Sequence, residues 1–157
     1  MKHKTIAVWL TLLLGSLGLH RRYLLGRFDA LALMLPIPTL LGCYGVWRAR
    51  TFGVDDQWSW VLMPMLGFTL AGCALTAIVY GLMSAPQWNK KFNPRSAEDA
   101  AQGHSNWLTV IGLGVALMLG TTVLMASLAF SIQRYFEYQM EQASSLSQSH
   151  TLKKSAD

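Results

Sequence analysis

Four histidines, two cysteines and two adjacent carboxylate pairs carry most of the reactive chemistry in this chain. His20 and His104 come first, because two imidazoles on one side of a helical bundle could ligate a haem iron, as in membrane b-type cytochromes. Four antiparallel helices would put the end of the first and the start of the fourth on the same side. Haem ligands sit within a bundle rather than at its rim, however, and His3 falls on the opposite side with His150 near the C-terminus. The pair is therefore read as interfacial histidines bonding headgroups or backbone. Asp55 with Asp56, and Glu98 with Asp99, are carboxylate pairs in connections and read as solvated. There is no G-x-S-x-G, no H-E-x-x-H, no C-x-x-C and no phosphate-binding glycine loop. The reading is a non-enzymatic protein with no catalytic residue, no metal and no cofactor.

Transport needs polar or ionisable groups at membrane depth. The middles of the apolar segments hold no Asp, Glu, Lys, Arg or His, and their strongest polar groups are Thr39, Thr69, Thr76, Thr121 and Thr122. A pore would have to be oligomeric and lined by backbone, around Pro36-Ile37-Pro38.

The elements that position these residues are apolar blocks. Of 157 residues, 52% are hydrophobic and 13% charged, with a mean hydropathy of +0.31; soluble domains carry about 25% charge. Blocked rather than periodic apolar residues mark membrane spans. The net charge of +5 is placed beside those blocks, where it meets anionic headgroups, and no basic patch is large enough for nucleic acid. Cys43 and Cys73 fall inside apolar segments and read as small hydrophobes rather than a disulfide. Met1-Lys2-His3-Lys4 before an apolar run resembles a signal peptide, but no small-x-small site follows, so the run is read as a retained first span.

The expected fold is all-α: a polytopic membrane protein with four transmembrane helices in an antiparallel bundle, at about 5–19, 28–47, 57–83 and 107–132. The first is short, about 22 Å against a hydrocarbon core of about 30 Å, so Lys4 and Arg21 are expected to snorkel outward. The second is expected to kink at Pro36 and Pro38. Trp58, Trp60, Tyr80, Trp88 and Trp107 fall at expected interfaces. The loop 84–106 should hold a short interfacial helix with Trp88 and Phe92 at i and i+4, then a capping box of Ser96 with Asp99. The segment 133–157 reads as an amphipathic extension (Ile132, Phe136, Met140) and, from Ser144, a disordered tail. Gly112, Ala116 and Gly120 form a small-residue stripe for helix packing, within the bundle or between copies.

The stretch Gly15-Ser16-Leu17-Gly18-Leu19-His20-Arg21-Arg22-Tyr23-Leu24-Leu25-Gly26-Arg27 resembles the signature turn of TM2-domain proteins, G-x-x-G-x-H-R-x-Y-x-x-G, through Gly15, Gly18, His20, Arg21, Tyr23 and Gly26. Gly42, Gly45 and Trp47 extend the likeness, which covers about residues 4–51. Arg22 stands where the family usually has an aromatic, and Arg48-Ala49-Arg50-Thr51 lacks its usual Asp. The resemblance implies a small membrane protein of a family widespread in bacteria, here in the inner membrane, as a helical hairpin with no catalytic residues to carry over.

Within that hairpin the turn is read as a fastener at the bilayer surface. Arg21, Arg22 and Arg27, with Lys90 and Lys91 further on, are expected to contact lipid headgroups. The charge flanking the spans is a near tie, Lys2, Lys4, Arg48, Arg50 and Arg134 against Arg21, Arg22, Arg27, Lys90, Lys91 and Arg95, so it sets no orientation. An even number of spans puts both termini on one side. The expected function is a scaffold or accessory subunit acting through helix–helix contacts, with an oligomeric channel or transporter as the alternative and a haem-binding electron carrier third. Its expected partners are membrane lipids and a second copy or another membrane protein, with no nucleic acid.

Overall fold

The computed structural model describes residues 1–26, 30–53, 56–95, 97 and 100–156, with side chains described as far as residue 148. The expected headgroup contact Arg27 and the capping pair Ser96 and Asp99 lie outside the described residues. The described chain is helical throughout: α1 (Lys4–Leu14), a 3-10 turn (Gly15–Leu17), α2 (Leu19–Leu25), α3 (Ala30–Met34), α4 (Pro36–Phe52), α5 (Gln57–Leu82), α6 (Ala85–Phe92), a 3-10 turn (Ala101–Gly103) and α7 (Trp107–Ala156). Three stretches are long and apolar enough to cross a membrane: Ala30–Phe52, Gln57–Leu82 and one within Ala101–Gln148. The first apolar helix, Lys4–Leu17, is shorter.

Proline places the boundary between α3 and α4. Pro36 has no N–H, and it occupies the first position of α4, where a helix needs no donor. Leu35 keeps helical dihedrals (φ −60°, ψ −38°) and donates its N–H to the Leu31 carbonyl at 3.2 Å. The two helices therefore follow one another with the hydrogen-bond ladder interrupted between them.

Small residues set the helix pairings. α4 and α5 run antiparallel, with Gly42 against Leu66 and Gly45 against Leu62. Arg48 closes their junction through its fork on Asp56, with Nε to Oδ2 at 2.6 Å and a terminal nitrogen to Oδ1 at 2.9 Å. Asp56 also caps α5 by accepting from the Ser59 N–H, and the Arg48 hydrogen bonds hold its carboxyl below the usual carboxylate range. α5 and α7 are likewise antiparallel, with Gly81 against Leu113, Ala74 against Gly120 and Gly67 against Ser127.

The first helix departs from the expected bundle. Lys4, Ala7, Val8 and Thr11 form its buried face at helical spacing. Thr5 and Thr109 share a hydrogen bond of 2.8 Å, the Trp9 indole donates to the Leu108 carbonyl, and Gly112 faces Val8. α1 therefore runs parallel to α7, not antiparallel as four alternating spans require. The chain then reverses at Gly18. α2 returns along α1, so that Tyr23 Oη accepts from the His3 N–H at 3.1 Å and Lys2 Nζ donates to the Leu24 carbonyl. Residues 2–4 and the far end of α7 consequently lie at opposite ends of the bundle, which corrects the expectation of termini on one side.

Two further expectations change. α6 forms as a short helix, but Trp88 and Phe92 face protein rather than lipid. The Trp88 indole and the Asn93 amide both donate to the Lys2 carbonyl at 3.0 Å. The stretch from Ser144 is helical to Ala156, not a disordered tail. No Gly or Pro follows Gly120 to break the helix. Ser144, Ser145 and Ser147 return their hydroxyls to carbonyls three residues back.

Candidate functional site

The glycine-punctuated turn builds the fold-back and opens a chamber beside it. Gly18 has φ +74°, a conformation other residues rarely adopt. A Cβ there would collide with the Ala32 carbonyl, so glycine also permits α3 to approach. Gly26, at φ +72°, ends α2 by donating its N–H to the Arg22 carbonyl. Gly15 is buried against Cys73 of α5. Since Lys4 to Gly15 is about 16 Å along a helix, the turn lies well inside the bundle and not at its end. The expected turn is therefore a fold-back within the bundle.

Between α2, the α3–α4 junction and α5 lies a cavity of about 470 Å³ lined by His20, Arg21, Thr69, Cys73, Thr76 and Tyr80 among others. His20 is 4% exposed, its ring 6.4 Å from that of Tyr80. Its Nδ1 is buried without a hydrogen bond of normal geometry, the backbone of Gly15 being its neighbour. The Arg21 charge acts on both His20 and Tyr80. Thr69 and Thr76 donate to the Met65 and Gly72 carbonyls at 2.7 and 2.8 Å, which leaves their lone pairs as acceptors. The chamber thus combines a fixed positive charge, a buried imidazole and hydroxyl acceptors. It could hold a small polar species.

Other expected site residues are dispersed. Arg22, Lys90 and Lys91 are exposed and do not line the chamber. Gly112, Ala116 and Gly120 face inward: Gly112 meets α1, Ala116 is fully buried with Val8, Ala74 and Ala77, and Gly120 meets Ala74. His104 lines a different cavity from His20, and no group of three or more His, Cys, Asp or Glu that could hold a metal occurs among the described residues. Tyr80, expected at an interface, is instead half-buried, edge-on to Trp88 and Phe92. Thr69, Cys73, Thr76 and Tyr80 lie on one face of α5 at helical spacing, and that polar stripe on an apolar helix is the signal that could have located the chamber.

No protein-family model, no curated protein and no solved structure matches this chain.

Proposed function

We propose that this chain is a non-enzymatic integral membrane protein that serves as a scaffold or accessory subunit through helix–helix contacts. In place of four antiparallel spans, the reading has three crossings, by α3 with α4 (kinked at Pro36 and Pro38), by α5 and by the apolar part of α7. The α1–α2 pair enters and leaves from one side as a TM2-like re-entrant hairpin. Its non-helical turn is covered by protein, as a turn at membrane depth must be.

On this reading Lys2, Arg22, Lys90, Lys91 and Arg95 flank the end of the bundle that holds residue 2, against Arg48, Arg50 and Arg134 close to the spans at the other, with Lys153 and Lys154 further along α7. The residues close to the spans favour a cytoplasmic side for the end holding residue 2. A bacterial inner membrane fits the TM2 resemblance.

The observation that carries the scaffold reading is the reach of α7. Its last described packing against α5 is Trp60 with Arg134 and Tyr138. Eighteen more helical residues follow, Gln139–Ala156, which is about 27 Å. Met140 and Leu146 are 67% and 65% exposed there, and a partner helix would cover them. A variant ending at Tyr138 should keep its thermal stability but fall from a larger complex to monomer size on native electrophoresis of gently solubilised membranes. Unchanged migration would count against the reading.

The chamber favours a second reading, an oligomeric channel or transporter, because ionisable groups at membrane depth mark solute pathways. Flux through reconstituted liposomes that is lost in His20→Ala would establish it. The haem reading has no such support, since His20 and His104 line separate cavities.

A further inference from the structure

α7 carries two stripes on opposite sides. Toward α5 it turns Leu113, Gly120, Ser127 and Arg134, which meet Gly81, Ala74, Gly67 and Trp60 in turn. On the far side Met118, Thr122, Met125 and Ala129 are exposed. Ile132, Phe136, Gln139, Ala143 and Leu146 continue that line toward the C-terminus and are exposed as well. The steps alternate between four and three residues without a break over four heptads. A repeat of about 3.5 residues is the seam of a left-handed coiled coil, with Thr122, Ala129, Phe136 and Ala143 at a and the others at d.

Charge follows the same division. From Met118 to Ser149 the charged residues are Arg134, Glu137 and Glu141, all at b or f, on the side away from the seam. The e and g positions set partner choice through charge in many coiled coils. Here, between Ile132 and Ala143, they hold Gln133, Tyr135, Met140 and Gln142, so no charge opposes a copy of the same face. Gln139 gives one amide N–H to Tyr135 Oη at 3.0 Å, which leaves its second N–H and its carbonyl for the same groups of a copy. Lipid can cover the stripe within the bilayer. Ala143 and Leu146 lie past the last packing of α7 on α5, at Tyr138, where water is the alternative.

We infer that this seam pairs with that of a second copy of the chain as a parallel two-stranded coiled coil. Copies of a membrane protein insert the same way, so two α7 helices that meet run parallel. A two-fold axis along the membrane normal then sets each seam residue against its equivalent. The inference rests on the scaffold reading and names the partner.

Single cysteines at Ile132, Ala143 and Leu146, with Glu141→Cys and Ser144→Cys as controls at f and b, test this in native membranes treated with copper phenanthroline. Cys43 and Cys73 are changed to Ala throughout. Equivalent seam positions face one another across the axis, within reach of a disulfide. Ile132→Cys, Ala143→Cys and Leu146→Cys should give a covalent dimer, and the two controls should remain monomer. Phe136→Glu with Leu146→Glu, both at exposed positions, should shift the purified protein from twice the chain mass to the chain mass by light scattering. Cross-linking that is absent at the seam, or equal at seam and control positions, overturns the pairing. If the wild type then still migrates as a larger complex that is lost on truncation at Tyr138, the partner is a different protein and the scaffold reading stands. Migration of the wild type at monomer size removes both.

Discussion

Gly18→Val should strongly destabilise the native fold. Two costs combine at that position. The left-handed conformation (φ +74°) costs a β-branched residue about 1–2 kcal/mol. The new side chain would also meet the Ala32 carbonyl, which is backbone and cannot rotate away. Overpacking against a rigid neighbour adds about 1–3 kcal/mol, so the sum is a large part of the roughly 5–15 kcal/mol by which domains are stable. Opening the reversal would also separate Tyr23 from His3 and Leu24 from Lys2. A thermal ramp followed by fluorescence-detected size exclusion in detergent would show it, with Gly26→Ala as the comparison. Gly26 shares the positive φ but has open space around it, so its loss should be the smaller. Equal losses would mean that backbone strain alone, and not the approach of α3, makes Gly18 necessary.

The second large effect is expected from Gly112→Leu with Gly120→Leu. Gly112 faces Val8 and Trp9 on α1, whereas a Cβ on Gly120 would come within 2.8 Å of the Ala74 Cβ on α5. The substitutions strike different contacts about 12 Å apart along the helix, so their costs should nearly add. Each is about 1–3 kcal/mol. The double variant should lose several kcal/mol of stability, while whatever protein survives keeps its oligomeric state. A variant that stays thermally stable but dissociates into monomers would show the stripe to be a contact between copies.

The helices themselves were largely legible. Apolar blocks marked α4, α5 and the first half of α7, the spacing of Trp88 and Phe92 marked α6, and the small-residue stripe of α7 lies in a helix contact. What could not be read was direction. A 15-residue apolar run before a glycine turn has the same composition whether the chain leaves the membrane there or doubles back. Residues 19–25 were absorbed into a turn although they make a short helix that buries His20 and Leu24. Lys4 was read as snorkelling outward because a lone charge at the start of a span ordinarily does so. Its place at i, i+3, i+4, i+7 with Ala7, Val8 and Thr11 already put it inside. The orientation of Trp88 and Phe92 depended on residues 2–4 lying beside them, a contact some 90 positions away in the chain. Local pattern carries no information about such contacts.

The re-entrant hairpin is the claim from which the topology, the orientation and the depth of the His20 chamber all follow. Side-specific thiol labelling in sealed right-side-out and inverted vesicles tests it most directly. Single cysteines would replace Lys2, Arg22 and Glu141 in turn, with Cys43 and Cys73 changed to Ala. Three crossings with a fold-back predict that Lys2→Cys and Arg22→Cys label from one side and Glu141→Cys from the other. Labelling of Lys2→Cys and Glu141→Cys from the same side, with Arg22→Cys opposite, would contradict it and restore four crossings.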